Sequence, residues 1–328
     1  MTIQLSYIES NSTSPQYNLA MEEYLLLHCH LNECILYLWQ NAHTVVIGKN
    51  QNAWKECNIS KLAEENGTLV RRLSGGGCVY HDLGNLNFTF ICQKDNYDVQ
   101  KQSEVILKAV QKLGIYAEKS GRNDLLVNGK KFSGHAYYKQ KDFCYHHGTI
   151  MFDVNTETLS KYLNVSKAKL QAKGVDSVRS RVCNLKEFNK DITIDLLKEK
   201  LQEAFCEVYG NAYTKKELDK TQKQEIEALR LKYASWEWTY GRNMTFTHQH
   251  QTRFDWGELM LSFVVEKGVI CDVEVYSDAM FIDISQEIKD VLLTCRYDKE
   301  AICNRLCACH LKTEYIEEIC GWINSIEL

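Results

Sequence analysis

Proline is almost missing from this sequence. Pro15 is the only one in 328 residues, so no proline marks a boundary or a rigid linker, and junctions have to be read from glycines and from changes of periodicity. No apolar run approaches the roughly 20 residues needed to cross a bilayer. Met1-Thr2-Ile3-Gln4-Leu5 lacks the basic stretch followed by an apolar one that marks an export signal. The expectation is a cytoplasmic protein, neither exported nor membrane-embedded. A dominant charge is missing too: 39 Lys and Arg against 43 Asp and Glu leave -4, with no long basic block, so no general attraction to nucleic acid or an anionic membrane is expected. Repeats and low-complexity tracts do not occur, and hydrophobic residues at 45% with charged residues at 25% exclude disorder and fibrous repeats.

Cysteine, in contrast, is plentiful. Fourteen thiols would suit a disulfide framework in a small secreted protein, but this chain is large and carries no export signal, so reduced thiols are expected. Cys303, Cys307, Cys309 and His310 offer zinc-type ligands. They match no known ligand spacing, however, and Cys303 and Cys307 sit one helical turn apart, where buried cysteine acts as a small apolar residue.

The length favours two domains, or one large domain with an appendage. Helical periodicity covers Asn18 to Leu31 and Val99 to Leu113. Strand-like runs occur at Ile35 to Trp39, Thr44 to Ile47, Thr68 to Arg72, Cys78 to His81, Leu86 to Cys92, Asp124 to Val127, Phe132 to Tyr138 and Phe143 to Phe152. Many strands follow one another after short gaps, which predicts an α+β fold with a mixed or antiparallel sheet rather than a doubly wound parallel one. Beyond Asn184, helices are predicted at Ile194 to Tyr209 and Lys215 to Leu231. After the aromatic segment Trp236, Trp238, Tyr240 come a hairpin turned at Lys267-Gly268 and a tail read as helical from Ile284 to Leu328. The domains are therefore placed at 1–245 and 246–328.

Chemistry concentrates in three segments. Arg71-Arg72-Leu73-Ser74-Gly75-Gly76-Gly77-Cys78-Val79-Tyr80 brings two arginines from a strand into a triple-glycine turn. Such a turn lets backbone N–H groups approach an anion while arginine supplies a bidentate charge. The plain alternative is a tight hairpin turn with solvated arginines. It is neither a Walker A loop, lacking Gly-Lys-Ser/Thr, nor a Rossmann fingerprint, since strands flank it. Gly121-Arg122-Asn123-Asp124 and Asn128-Gly129-Lys130-Lys131-Phe132-Ser133-Gly134 pair an acid and an amide with two lysines across an Asn-Gly turn. A lysine there can hold a phosphate and an attacking carboxylate together, with the aspartate beside Mg²⁺. The alternative is an ordinary surface ion pair. The third is the basic loop Lys173-Gly174-Val175-Asp176-Ser177-Val178-Arg179-Ser180-Arg181, which is otherwise a solvated connection.

Together these segments resemble the lipoate-protein ligases. The likeness runs through Asn18-Leu19-Ala20-Met21-Glu22, Arg72 to Gly77, His81-Asp82-Leu83-Gly84-Asn85, Gly121 to Asp124, Lys131 to Gly134, His147-Gly148-Thr149, Ser177 to Val182 and Trp236-Glu237-Trp238 with Tyr240-Gly241. Met244 departs from the pattern, where relatives often have proline.

The resemblance implies a biotin-ligase-like catalytic domain plus a small accessory domain that changes position between two half-reactions. ATP and lipoate would form lipoyl-AMP, and the lipoyl group would pass to a lysine of an acceptor: a lipoyl domain of a 2-oxoacid dehydrogenase acyltransferase subunit, glycine-cleavage H protein, or both. It implies Lys131 as the catalytic lysine. The binding residues would be Arg72, Gly75, Gly76, Gly77, Cys78, Val79, Tyr80, Asn85, Asn123, Asp124, Ala136, Lys173 and Arg181, with Mg²⁺ at Asp124. Residues from about Lys167 to Arg181 would fold over the adenylate and exclude water. The nearest alternative is an octanoyl- or lipoyl-transferase working through a cysteine thioester. In one type of octanoyltransferase a Cys-Gly pair stands at the place of Lys173-Gly174, so lysine here favours the ligase, and Cys78, Cys144 and Cys183 read as packing residues. A binding module without catalysis would have lost Lys131 or Asp124. A biotin ligase ranks last.

Overall fold

The computed structural model describes residues 3–121, 123–164, 181–240 and 247–326, apart from the Trp54 side chain. Arg122, Lys173, the 167–180 segment, Gly241 and Met244 lie outside the described residues. In chain order the strands are β1 (Gln4–Glu9), β2 (Glu33–Trp39), β3 (Thr44–Ile47), β4 (Thr68–Arg71), β5 (Val79–His81), β6 (Asn85–Gln93), β7 (Glu118–Ser120), β8 (Asp124–Val127), β9 (Lys130–Gln140), β10 (Phe143–Met151), β11 (Tyr213–Lys215), β12 (His248–Phe254), β13 (Gly257–Glu266) and β14 (Val269–Ser277). The main helices are α1 (Pro15–Leu27), α2 (Val99–Lys112), α3 (Ile194–Tyr209), α4 (Lys220–Ala234), α5 (Ile284–Leu292), α6 (Lys299–Leu306) and α7 (Thr313–Ser325).

The chain divides into two compact units. The first comprises Met1–Ile47, Trp54–Arg72 and Cys78–Thr239; the second comprises Gly48–Ala53, Leu73–Gly77 and Tyr240–Leu328. In the first unit an eight-stranded mixed sheet runs β11-β1-β2-β6-β10-β9-β8-β7, with β1 parallel to both β2 and β11 and the other pairs antiparallel. Strand β6 shows why. Leu86, Phe88 and Phe90 alternate with Asn87 and Thr89, and all are buried, so both faces of this central strand must be covered. The apolar face packs on Val105, Ile106, Ala109 and Val110 of α2 and on Leu197, Leu201 and Phe205 of α3. The polar face meets α1, where Glu22 accepts from Thr89. A second sheet, β4-β3-β5, belongs to the same unit.

Helix α1 begins at Pro15, earlier than the periodicity predicts, because a proline at the first helical position forfeits an N–H that has no intrahelical partner anyway. Strand β1 was not legible as a strand. The Asn128-Gly129 turn joining β8 to β9 has both residues at positive φ, 51° and 75°, the twist a two-residue hairpin needs.

In the second unit β12, β13 and β14 form an antiparallel meander, with Lys267 and Gly268 (φ 50° and 78°) at the hairpin turn. Leu259, Leu261 and Phe263 pack with Ile284, Ile288, Ile302 and Ile319 from the helices. The tail is not one continuous helix. It breaks after α5, where Thr294 adopts φ 63° and donates to the Ile270 carbonyl, and Val269 bridges Arg296. It restarts at Asp298, whose side chain caps α6. Among the described residues no helix is long and apolar enough to cross a membrane.

Candidate functional site

Register decides which side chains meet. Across the large sheet Trp39 pairs with Asn87, Asn87 with Thr149, Thr149 with Gly134, and Gly134 with Asp124. Directly opposed residues point to one face, so these five form a row across β2, β6, β10, β9 and β8. At its end the ladder slips at Leu125/Leu126, and Lys131 folds back over Gly134. A Cβ at position 134 would lie 2.6 Å from both Cε and Nζ of Lys131, so the ammonium rests where only glycine leaves room. Lys131 Nζ reaches Asp124 Oδ1 at 2.6 Å, and Arg181 donates to Asp124 Oδ2 at 2.6 Å. Arg181 is brought there by the next two residues: Val182 bridges Lys131, and Cys183 donates its N–H to the Lys131 carbonyl at 3.0 Å. The Asn123 carbonyl accepts from His135 N–H at 2.8 Å, while its buried side-chain Oδ1 has no hydrogen-bond partner among the described residues.

A second row places Ala136 beside His147 and Thr89. Here Glu22, only 1% exposed, accepts from Thr89 Oγ1 at 2.7 Å and pairs with His147 Nδ1 at 2.8 Å, and Trp39 Nε1 donates to Thr89 at 3.0 Å. Asn85 opens β6 and donates to Asn87 Oδ1 at 3.0 Å.

The two arginines of the glycine-rich segment do different work. Arg71 donates to the carbonyls of Trp238 and Thr239, so it ties the aromatic segment to β4. Arg72 is buried, its pKa lowered by desolvation, and donates to the Val46 carbonyl at 3.2 Å. Val79 and Tyr80 pair with Val46 and Val45 on β3, the Tyr80 ring packs against His43 and Tyr162, and Cys78 precedes them half-buried. His81 Nδ1 lies 3.3 Å from Asn41, and burial holds its pKa down at about 3, so the ring is neutral.

In the second unit a Cβ on Gly75 would lie 2.4 Å from the Ala279 carbonyl oxygen. Gly76, at φ 89°, gives its N–H to that same oxygen at 3.2 Å. Close backbone packing is thus one demand these glycines meet.

Behind the Lys131 strand, on the apolar face, runs a buried chain of hydrogen bonds. Ser133 Oγ lies 3.1 Å from His135 Nε2, His135 Nδ1 lies 2.9 Å from His146 Nε2, and His146 Nδ1 lies 3.1 Å from Gln102 Oε1. The amide oxygen requires a proton on His146 Nδ1, so the chain runs in one direction with both rings neutral. Burial holds His135 down at about 3 and His146 well below its usual range.

The structure thus brings Lys131, Asp124, Asn123, Arg181 and Ala136 onto one sheet region and places Arg72, Cys78, Val79 and Tyr80 around β5. Glu22, Gly134, His147 and Thr149 fall within motifs read from the sequence but had no role there. Asn87 was missed, although Asn85, Asn87 and Thr89 at alternate positions signal a polar strand face. Burial pushes the Cys183 thiol up to about 11 and raises Cys144 as well, which disfavours the thiolate at both. Among the described residues no group of three or more His, Cys, Asp or Glu side chains is gathered to hold a metal ion.

Comparison with known proteins bears on the family. Residues 14–206 match the lipoyl protein ligase A/B catalytic domain, and residues 243–323 match the bacterial lipoate protein ligase C-terminus. A lipoate-protein ligase A from Psychrobacter cryohalolentis is 41% identical over 308 residues, spanning 92% of this chain and 91% of that one. The P. falciparum protein LipL1, solved in complex with lipoate, superposes with a TM-score of 0.86 at 32% identity, covering 97% of this chain and 99% of that one. A bipartite lipoate protein ligase from Thermoplasma acidophilum, studied with its E2 lipoyl domain, superposes with a TM-score of 0.65 at 26% identity over 76% of this chain and 100% of that one. The chain belongs to the lipoate-protein ligase family.

Proposed function

We propose that this protein uses ATP to convert free lipoate to lipoyl-AMP and then transfers the lipoyl group to a lysine of an acceptor protein in the cytoplasm. The observation that carries the reading is Lys131, its ammonium held over the missing side chain of Gly134 and fixed by Asp124, with Arg181 on the other carboxylate oxygen. Two cations around one carboxylate form a preorganised site for a more highly charged guest, because they can turn toward phosphate and acid oxygens without new desolvation. Residues 1–245 would carry this chemistry, with 246–328 as the accessory domain.

In the first half-reaction a lipoate carboxylate oxygen attacks the α-phosphorus of ATP and pyrophosphate leaves. In the second the acceptor amine attacks the lipoyl carbonyl, AMP leaves, and the amine proton goes to solvent or a phosphate oxygen. No side-chain nucleophile is required. Lys131 and Arg72 neutralise the charge that builds up, and holding the reactants aligned can contribute about 7 to 11 kcal/mol. Mg²⁺ fits the oxygen donors Asp124 and Asn123, whose Oδ1 lacks a partner among the described residues, and when bound it would neutralise phosphate charge. Cys78, Val79, Tyr80, Asn85 and Ala136, with Gly75 to Gly77, are assigned to the acyl and nucleotide cradle. Lys173 is assigned to the segment that covers the adenylate. The acceptors we assign are lipoyl domains of 2-oxoacid dehydrogenase acyltransferase subunits and glycine-cleavage H protein. The test is pyrophosphate release from Mg²⁺-ATP with lipoate, then AMP release on adding an apo lipoyl domain. Acyl exchange between carrier proteins without ATP or pyrophosphate would replace this reading with the cysteine transferase.

A further inference from the structure

Asn87 stands second in the row that runs from Trp39 to Asp124, 2% exposed, with Asn85 donating to its Oδ1. That bond fixes which end of the amide is nitrogen, and Nδ2 has no partner among the described residues. His81, 3% exposed, carries a second such donor. Its ring packs edge-on against Trp39 at 6.2 Å, its Nδ1 faces the Asn41 amide nitrogen and so accepts, and the Nε2 that must then hold the proton is also unpartnered. Two buried N–H donors with no partner among the described residues therefore flank Trp39.

Their position relates them to the substrate. By register, Gly134 beneath the Lys131 ammonium is two strands from Asn87 and three from Trp39. Two strand spacings amount to roughly 10 Å, close to the reach of an extended eight-carbon acyl chain. An acid whose carboxylate meets Lys131 and whose chain crosses the strands brings its tail to Asn87 and Trp39.

We propose that Asn87 is a specificity residue that favours an acyl tail able to accept a hydrogen bond, the dithiolane of lipoate, over the hydrocarbon tail of octanoate. The proposal rests on the ligase reading above. A site built with buried donors penalises a ligand that leaves them unpaired, whereas an acceptor in the tail recovers the bond. Sulfur is a weak acceptor, so the discrimination is modest, about tenfold rather than thousands.

The test compares kcat/KM for pyrophosphate release with lipoate and with octanoate, using the full chain and Mg²⁺-ATP. The wild-type protein prefers lipoate. Asn87→Leu, similar in shape but without the donor, reduces that preference about tenfold, chiefly through a gain with octanoate; Asn87→Ala serves if the leucine variant does not fold. A folded variant whose preference is unchanged, an equal loss with both acids, or a wild-type protein that prefers octanoate overturns the assignment. Wild-type protein that releases no pyrophosphate with either acid removes the ligase reading itself.

Discussion

Replacing Gly134 by alanine adds one methyl group at the point where the site depends on its absence. The new Cβ would lie 2.6 Å from Cε and Nζ of Lys131, whereas ordinary contacts begin at 3.4 Å, so the end of the lysine has to retreat. The backbone does not resist the change. Gly134 is not among the glycines at positive φ, and alanine in an extended strand recovers about 0.4–1 kcal/mol of unfolded-state entropy, which offsets the crowding. Melting temperature should move by only a few degrees. Chemistry is affected far more, because the ammonium leaves both its position and its 2.6 Å contact with Asp124. A displacement of about 1 Å at a reacting centre costs on the order of 100-fold in rate, about 2.7 kcal/mol of barrier. Single-turnover formation of lipoyl-AMP with saturating lipoate and Mg²⁺-ATP, alongside a thermal melt, checks both halves. A folded variant that adenylates at the wild-type rate would show that the position of the ammonium over Gly134 does not matter.

Lys131→Ala should leave the fold intact and lower lipoyl-AMP formation by about 100-fold or more; normal turnover removes Lys131 from its proposed role. Removing a buried thiol by Cys183→Ala should cost stability, roughly 1 kcal/mol, yet preserve pyrophosphate release, and its loss with the fold intact would revive a cysteine mechanism. His135 and His146 titrate lower in the folded chain than in the unfolded one, so the stability they confer is complete above pH 6.5 and is lost as pH falls below it, down to about 3 for His135. Denaturant titrations at pH 7.5 and 5 should show a loss of up to about 1.4 kcal/mol per histidine for each pH unit below 6.5; replacing His146 with glutamine should flatten that slope, and an unchanged slope would mean that the pair is not buried as neutral rings.

Much of the site was readable because its chemistry is local in sequence. Asp124 and Lys131 flank a single Asn-Gly turn, so one hairpin brings them together; spacing marked an acid and two lysines across that turn, and the family resemblance singled out Lys131. Arg71 and Arg72 show where that kind of reading stops. Adjacent in sequence, they serve the carbonyls of the aromatic segment at Trp238 and Thr239 and the Val46 carbonyl of β3 respectively, a division set by partners more than 160 residues away in one case. Asn87 is harder still, since its proposed role comes from strands on both sides and from a donor without a partner among the described residues, which no local pattern reveals. Strand β1 escaped notice for a related reason: with both faces covered, Leu5, Ser6, Tyr7 and Ile8 are all buried, and the alternation that identifies a half-exposed strand is lost. The broken C-terminal helix was overridden by tertiary pairing, because Thr294 and Arg296 find partners on β14 that helical periodicity does not anticipate.

Among the described residues strand β11 lies at the edge of the large sheet and pairs with β1 alone, with Leu5 opposite Tyr213. During synthesis this has a definite consequence. Strand β1 acquires β2 early, through the crossover of α1, but its other side stays open until residues some 200 positions later have emerged. Until those residues have been made, β1 therefore carries an unpaired strand edge. Truncations that stop short of Tyr213 would keep that edge exposed, and they should be sticky products even where every residue of the Lys131 hairpin has been made.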